Sequence, residues 1–375
     1  MDEKLTTSGK IMKDKHVSRW TELFSEQMEV RLDKRKKLEE SGSNPYKNGF
    51  KPNTSFKYLT EQYGEKAKED IGETPTYKVA GRVMMVRDFG KAAFLQCDDG
   101  SSRFQLYVKK EVTSEKGFAE YKLLDYGDIV YAEGDIFKTM KGELALNVKD
   151  MTILTKSIRP LPEKFHGLTD AELRYRMRYV DMIMDPEVRA KLKMRSEIVR
   201  YIREYFYKND FLEVETPMMH SVAGGATAKP FNTHHNALNM ELFMRIAPEL
   251  HLKRLIVGGY NKVFEMNRCF RNEGLSLKHN PEFTTIEFYW AYATYLDLMD
   301  FTEDLISGIA QHVIKSEVVK FGENEINLKG PYARLTMREA VAKYTNSTID
   351  QINDRTYLLG LLKDVDQDPK KVQVL

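Results

Sequence analysis

Charged and aromatic residues crowd one polar loop between two predicted strands. Residues 270–274 read Phe-Arg-Asn-Glu-Gly, and residues 279–283 read His-Asn-Pro-Glu-Phe. An arginine in such a loop can neutralise a phosphate or a carboxylate through two parallel hydrogen bonds. A phenylalanine exposed beside it offers a flat face to a purine. The open alternative is a charged hairpin whose phenylalanine belongs to the core.

A second group of residues is acidic. Glu249 stands at the predicted start of a helix, and Glu287 and Tyr289 alternate with apolar residues along a predicted strand. Side chains two residues apart on a strand point to the same face. A carboxylate among aromatic side chains is costly to bury without a cation. A cationic ligand would supply one, and an ion pair with a neighbouring arginine is the equally open alternative.

Two further features are ambiguous by themselves. The pair Gly224 and Gly225 lets a backbone approach a ligand closely, but it is equally compatible with a flexible loop. His234 and His235 are adjacent, yet a metal site needs further ligands, and no cluster of cysteine and histidine supplies them. We therefore predict no metal ligand within this chain, and packing or hydrogen bonding for the two histidines.

Bulk composition narrows the class of protein. The 58 lysines and arginines nearly balance the 56 acidic residues, so a polyanion-binding protein would need to concentrate its positive charge locally. The two cysteines, Cys97 and Cys269, cannot form a disulfide framework. No apolar run is long enough to span a bilayer, and the N-terminus lacks the apolar core of a signal peptide. The expectation is a reduced, cytoplasmic protein without a membrane partner.

The first part of the chain, which precedes the acidic and charged-loop groups, is predicted to contain a tail, a helical extension and a β-rich domain. Residues 1–18 are predicted to be a disordered tail, and 19–70 a helical extension whose basic run is either a solvated helix face or a contact with RNA phosphates. Strands are predicted at 77–86, 92–96, 103–108, 129–137 and 144–154. A helix at 113–124 separates the third strand from the fourth. Five strands with this helix are the pattern of an OB-fold, at 71–157.

The acidic and charged-loop residues lie in a second region, 158–375, which follows a proline-containing linker. Its predicted strands and helices alternate irregularly and contain no glycine-rich phosphate loop, which predicts an α+β domain. Strands are predicted at 211–216, 242–246, 262–270 and 284–290. Helices are predicted at 186–208, 249–257 and 297–316.

The charged loop resembles motif 2 of the class II aminoacyl-tRNA synthetases. Residues 211–217, Phe-Leu-Glu-Val-Glu-Thr-Pro, resemble motif 1 of that family, whose proline lies at a dimer interface. With residues 224–226, 229–236 and 244–250, these segments are similar to the bacterial-type lysine enzymes rather than to the aspartate or asparagine ones. The resemblance covers about 20–295. It implies an N-terminal OB-fold barrel followed by a class II catalytic domain, an antiparallel sheet flanked by helices.

The resemblance implies a lysine–tRNA ligase, which joins L-lysine to ATP as lysyl-adenylate and passes the lysyl group to tRNA(Lys) as a homodimer. Arg271 would be the catalytic residue, touching both the lysine carboxylate and the ATP α-phosphate. Further ATP contacts are implied for Glu273, His279 and Phe283. The lysine pocket would be built from Gly225, Glu249, Arg271, Glu287 and Tyr289. The residues implied to read the anticodon are Arg82, Phe94, Gln105 and Glu143.

One part of the family pattern does not occur in this sequence. Motif 3 and the acidic Mg²⁺ ligands are not found, so we expect a catalytic domain that is C-terminally incomplete, with Mg²⁺ ligands downstream of residue 375. The missing motif keeps open a non-catalytic RNA-binding or regulatory protein. A paralogue that aminoacylates a protein is a further alternative. Residues 77–155 argue against it, because such relatives lack an anticodon-binding domain.

Overall fold

The computed structural model describes residues 16–162, 170–274, 276 and 279–364, with side chains described from residue 26 to residue 361. The chain divides into two compact units, of which the first ends at Ala190 and the second begins at Lys191. Residues 1–15 of the predicted tail lie outside the described residues. Residues 16–18 of that tail already belong to the first helix.

Two helices precede the barrel in the first unit. They are α1, His16–Glu40, and α2, Phe56–Tyr63, followed by a 3-10 turn at Lys68–Asp70. Within the basic run of α1, Lys37 pairs with Asp33 at 2.7 Å along the helix, and Lys34 pairs with Asp125 of the barrel at 2.6 Å. These lysines are therefore already neutralised within the protein, which favours the solvated-face interpretation over an RNA contact.

The predicted OB-fold is confirmed as a closed five-stranded barrel in the order β1-β2-β3-β5-β4. Only the β3–β5 contact is parallel. The elements are β1 Tyr77–Asp88, β2 Ala92–Asp98, β3 Arg103–Lys109, α3 Glu115–Lys122, β4 Ile129–Lys138 and β5 Leu144–Thr155. The helix after the third strand is also as predicted, although it is shorter at both ends.

The strands alternate between a buried and an outward face, as a period of two requires. On β2, Ala93, Leu95 and Cys97 are fully buried, whereas Phe94 lies on the outer face and is only half-buried. Gly134 allows β4 to bulge onto β5, because a Cβ there would lie 2.0 Å from the Asn147 carbonyl oxygen. The barrel thus has an apolar interior and an outer face free for recognition.

Short helices and a long one lead from the barrel into the second unit. They are α4 Ala171–Arg176, α5 Arg178–Met184 and α6 Pro186–Lys208. The second unit continues with β6 Leu212–Glu213, β7 Met219–His220, β8 Asn232–His235, β9 Met240–Met244, α7 Glu249–Val257, β10 Lys262–Phe270, β11 Glu282–Trp290 and α8 Tyr295–Ile309. It ends with a π-helical turn at Ala310–Ile314, β12 Val318–Phe321, β13 Asn324–Asn327, α9 Met337–Tyr344, α10 Ile349–Asn353 and α11 Arg355–Asp364.

The central sheet of the second unit is the antiparallel pair β10–β11, with the short strand β6 parallel to β10. The strand predicted at 211–216 is reduced to two residues. Beyond it, the Thr216 N–H donates to the Glu265 carboxylate at 3.3 Å. In a longer strand, this N–H would donate to the backbone of the neighbouring strand instead. The strand predicted at 242–246 lies at Met240–Met244 instead.

The β10–β11 pair has two unlike faces. On one face, Phe264 and Phe288 pack with Phe206 of α6 and Phe301 of α8 in an aromatic core. The opposite face carries the odd-numbered residues of both strands, which pair across in register. Glu287 and Tyr289 lie on this second face. The core therefore holds the sheet from behind while its polar face remains available to a ligand.

Candidate active site and nucleic-acid interface

Arg271 and Phe283 meet at the end of the β10–β11 pair. The Arg271 N–H donates to the Pro281 carbonyl at 2.9 Å, which continues the ladder by one step beyond the last paired residues. The guanidinium carbon then lies 5.2 Å from the centre of the Phe283 ring. Among the described residues, the buried Nε of Arg271 has no hydrogen-bond partner. A positioned cation with an unused donor is suited to an anionic ligand.

A cavity of about 240 Å³ opens beside these two residues. It brings together all four residues predicted to contact ATP. Its lining consists of Arg271, Glu273, Gly274, His279, Asn280, Pro281 and Phe283. His279 is held by a 2.7 Å hydrogen bond between its Nδ1 and the Ser276 hydroxyl. The charged loop between the two strands therefore forms a concave site that contains an arginine and an aromatic ring.

Gly225 and Glu249 also lie together, as predicted. Gly225 adopts a positive φ of 89°, and a Cβ at this position would lie 3.1 Å from the Glu249 Cβ and 3.3 Å from the Ala247 Cβ. Only glycine suits this backbone conformation and this closeness without strain. The glycine loop consequently rests on the first turn of α7, where Glu249 accepts a hydrogen bond from Lys253 at 2.5 Å.

Glu287 and Tyr289 form the third predicted group. The Tyr289 hydroxyl donates to a Glu287 carboxylate oxygen at 2.9 Å. Burial raises the pKa of Glu287, the Tyr289 hydrogen bond opposes this shift, and the nearby Glu249 carboxylate raises the pKa further. Lys253 lowers it, and its ammonium lies 5.9 Å from the centre of the Tyr289 ring. Two carboxylates thus share one electrostatic environment in which a bound cation would be stabilised.

A buried ion pair next to this group was missed by sequence reasoning. Glu265 lies directly opposite Glu287 in the β10–β11 register, and it is bound by Arg245 at 2.6 Å and by the Thr216 hydroxyl at 2.6 Å. Among the described residues, Arg245 is thus the arginine that pairs in this region, and it serves Glu265 rather than Glu287. The sequence alone does not distinguish the two, because both are glutamates within a strand and only the tertiary contacts reveal which carboxylate is neutralised.

On the barrel, Phe94 lies on the outer face. Its ring centre is 4.7 Å from that of Tyr107 on β3, with an interplanar angle of 30°. It does not belong to the barrel core, which its sequence neighbours Ala93 and Leu95 help to form. The alternative that Phe94 is an ordinary core residue is therefore wrong. An outward-facing aromatic ring that a second ring supports is suited to stacking on a base.

Gln105 and Glu143 are brought to the same part of the barrel. Gln105 precedes Tyr107 by two residues and shares its outward face. Glu143 is exposed in the β4–β5 turn, two residues before Ala145, the parallel partner of Gln105. An amide beside the aromatic pair and a carboxylate in the neighbouring turn therefore offer hydrogen bonds to base edges.

Arg82 is the exception among the predicted residues. It pairs in register with Asp98, at the other end of β2 from Phe94, and donates to the Gly127 carbonyl at 2.7 Å. Burial lowers the pKa of Arg82, and the carboxylates of Asp128 and Asp98 oppose this shift. The residue opposite Phe94 is Arg87, which is exposed. Counting strand partners outward from the β1–β2 turn would have found it.

The two adjacent histidines are engaged locally. His234 contacts the Glu241 carboxylate at 2.8 Å, and His235 accepts a hydrogen bond from the Leu238 N–H at 3.3 Å. Within the described ranges, no group of three or more His, Cys, Asp or Glu side chains could hold a metal ion. In the same part of the chain, no helix has the length and apolarity that crossing a membrane requires.

Comparison with known proteins identifies families and relatives that this chain resembles. Residues 170–375 match the model of tRNA synthetases class II (D, K and N), and residues 77–154 match that of the OB-fold nucleic acid binding domain. The chain is 50% identical to the lysine–tRNA ligase of Aromatoleum aromaticum over 327 residues, which cover 87% of this chain and 65% of the relative.

Other curated relatives give the same picture. The lysine–tRNA ligase of Magnetococcus marinus is 46% identical over 91% of this chain and 68% of its own length. That of Bacillus cytotoxicus is 49% identical over 86% of this chain and 65% of its own length. The chain thus spans about two thirds of the length of the curated relatives that it matches.

Proposed function

The chain belongs to the class II tRNA synthetases of the D, K and N group, and on this premise we propose that it is a lysine–tRNA ligase. It would form lysyl-adenylate from L-lysine and ATP, and then transfer the lysyl group to tRNA(Lys) in the cytoplasm. The observation that carries the choice of lysine is the pair of carboxylates, Glu249 and Glu287, on one polar site. A substrate with two ammonium groups complements both.

Lysine binding follows from the positions of these groups. Glu249 and the Gly225 carbonyl would hold the α-ammonium, since Glu249 begins α7 and Gly225 packs against it. Glu287 and the Tyr289 hydroxyl would hold the ε-ammonium. Aspartate and asparagine lack a second ammonium, so Glu287 would remain buried without a cation in their presence, which disfavours both.

Arg271 and the neighbouring cavity would carry the activation step. Phe283 would stack on the adenine, with Glu273 and His279 contacting ATP at the cavity rim. A carboxylate oxygen of lysine attacks the α-phosphorus, and pyrophosphate leaves as the new anhydride forms. Arg271 would contact both reacting groups and stabilise the charge that develops between them. Mg²⁺ is typical of the family, but the described residues contain no fitting cluster, so no step is assigned to it.

The second step needs tRNA, and the barrel supplies the contact. A ribose hydroxyl of the tRNA terminus attacks the lysyl carbonyl and AMP leaves. At the other end of the tRNA, Phe94 would stack on an anticodon base while Gln105 and Glu143 bind base edges. Arg87 takes the role that we predicted for Arg82, because it lies opposite Phe94.

We also propose a homodimer built on motif 1. Exposed apolar side chains occur on α6 and on the segment that follows it, among them Leu192, Met194, Leu212 and Met219. A two-fold arrangement of two copies would cover these side chains on both copies.

The test of the proposed function is amino-acid-dependent exchange of pyrophosphate into ATP by the full-length protein, followed by charging of tRNA. Lysine should support both reactions, and aspartate and asparagine should support neither. Exchange with aspartate or asparagine would overturn the choice of substrate. Binding of tRNA without any lysine-dependent exchange would favour the non-catalytic RNA-binding alternative instead.

A further inference from the structure

Four aromatic rings form a continuous row on the outer face of the barrel. Phe89 contacts Phe94 edge to face at 6.3 Å, and Phe94 stacks on Tyr107 at 4.7 Å. Tyr107 in turn contacts Phe137 at 5.6 Å with an interplanar angle of 52°. We call these four residues the aromatic row. The proposed function uses only Phe94, so three of its rings have no assigned role.

The aromatic row links the two loops that OB-folds use to bind oligonucleotides. Those loops join strands 1 and 2 and strands 4 and 5, and they flank the face of strands 2 and 3. Phe89 lies in the β1–β2 turn and is 68% exposed, while Phe137 is the last residue but one of β4, close to the β4–β5 turn. The row therefore extends over the whole length of the expected nucleic-acid path.

A cavity of about 280 Å³ lies at the Phe137 end of the row. Its lining includes Lys68, Gly72, Phe137, Lys138, Thr139 and Met140. The walls are joined by hydrogen bonds, because Lys138 donates to the Gly64 carbonyl at 2.8 Å and the Ile136 N–H donates to the Thr74 hydroxyl at 2.9 Å. The cavity is thus formed before any ligand binds.

The lining of this cavity matches the chemistry of a nucleotide. Phe137 offers a ring, and Met140 offers an apolar thioether that is 99% exposed at the rim. Two lysines line the cavity and no carboxylate does. The Lys138 ammonium already donates to two backbone carbonyls, so the exposed Lys68 is the lining cation that suits a phosphate-bearing ligand. The volume lies just below the roughly 300–1,000 Å³ of small-molecule pockets, which suits one base better than a complete cofactor.

We propose that this cavity binds one unstacked base of the tRNA anticodon loop, next to the three anticodon bases. Tyr107 covers one side of Phe94 and contacts Phe137, so it positions Phe94 and carries the stacking surface towards the cavity. The inference rests on the proposed binding of tRNA(Lys). It extends the barrel's RNA site from the anticodon to a neighbouring nucleotide.

The test is binding of the full chain to an anticodon stem-loop RNA, measured by fluorescence anisotropy. Phe137→Ala should weaken binding about five-fold or more, as expected for the loss of one base–aromatic stack. An abasic nucleotide at one loop position beside the anticodon should weaken wild-type binding equally. That same abasic RNA should bind the Phe137→Ala variant no more weakly than the intact RNA does, because the lost base and the lost ring belong to one contact.

Two further variants separate binding from folding. Met140→Glu places a negative charge at a fully exposed rim position, so it should weaken binding without changing the melting temperature. Phe50→Ala is the matched control, because Phe50 is a 41% exposed aromatic that packs on Tyr131 at 5.1 Å rather than on the aromatic row. Its affinity should equal that of the wild type.

The outcomes distinguish this inference from the proposed function. If the wild type binds and Phe94→Ala weakens binding, but Phe137→Ala and Met140→Glu bind normally, the cavity is not a nucleotide site. The same conclusion follows if abasic positions beside the anticodon have no effect on the wild type. If the wild type fails to bind the stem-loop at all, the proposed tRNA function itself is overturned together with the inference.

Discussion

The barrel and the central sheet of the second unit each bury one face and leave the other accessible to a ligand. The accessible faces carry different kinds of side chain. On the barrel, Phe94 and Tyr107 stack on each other, so the centre of the face is apolar and its rings are already partly packed. On the sheet, Glu287 lies beside Glu249 and opposite Glu265, and of these Glu265 has a buried arginine partner.

Because of this difference, the barrel face is stable without a ligand, whereas the carboxylates of the sheet lack a cation until a ligand binds. Exposed aromatic rings cost little in water, whereas a half-buried carboxylate near other carboxylates carries a desolvation and repulsion penalty. A cationic substrate would relieve that penalty. We therefore expect ligand binding to depend on charge and pH in the second unit, and mainly on stacking in the barrel.

The largest expected effect is at Arg271. Arg271→Ala should lower kcat for lysine-dependent pyrophosphate exchange by about 10²–10³-fold, the cost of removing one preorganised donor to a developing charge. Arg271→Lys should not restore the rate, because an ammonium cannot lie flat on Phe283 and bond bidentately. Arg268→Ala is the control, since Arg268 lies three residues earlier on β10 and pairs with exposed Glu282 on the other face. Full activity of the lysine variant would contradict the assignment.

The next effect is at Glu287, where the comparison predicts a dependence on pH. Glu287→Gln should raise the lysine KM about tenfold or more, since a charge-assisted hydrogen bond is worth about 1.5–3 kcal/mol. Because burial raises the pKa of Glu287, the wild type loses this charge as pH falls, starting at a higher pH than for an ordinary glutamate.

The lysine KM of the wild type should accordingly rise on acidification, and that of Glu287→Gln should change less. Steady-state exchange kinetics across pH would show this. Glu282→Gln serves as the control, because Glu282 is exposed on the opposite face of the same strand. An identical pH profile for wild type and Glu287→Gln would remove Glu287 from the lysine pocket.

In the barrel, Phe94→Ala should weaken tRNA binding by about 1–3 kcal/mol while leaving the melting temperature nearly unchanged. Leu95→Ala, one residue further along β2, should do the reverse, costing about 2–5 kcal/mol of stability because Leu95 is fully buried. Thermal melts and RNA titrations on the two variants test both statements. If Phe94→Ala were as destabilising as Leu95→Ala, the proposal that the inner face of β2 stabilises the barrel while its outer face binds RNA would be wrong.

The smallest expected effect is at Lys253, whose ammonium binds Glu249 at 2.5 Å. Lysine would have to displace it to reach the same carboxylate. Lys253→Met should therefore lower the lysine KM about two-fold, since an exposed helix pair four residues apart is worth about 0.2–0.5 kcal/mol. Exchange kinetics measure this directly. A higher KM in the variant would show instead that Lys253 helps to hold the pocket together.

Much of the framework was predictable, because local patterns decide local structure. The strand Lys262–Phe270 and the helix Glu249–Val257 were predicted with the bounds that the structure has, since their apolar spacing and flanking turns leave little choice. The order of five strands, with a helix after the third, was sufficient to predict the barrel. Alternation along β11 likewise predicted that Glu287 and Tyr289 share a face, and the hydrogen bond between their side chains agrees.

The sequence by itself thus determined the two folds, the charged loop and the residue types of both sites. Tertiary structure alone decided which residues meet. Strand pairing put Arg87 rather than Arg82 opposite Phe94, and it assigned Arg245 to Glu265 rather than to Glu287. The aromatic row also emerges only when β2, β3 and β4 close into a barrel. The physical reason is that register and closure depend on contacts between distant segments, which local spacing does not encode.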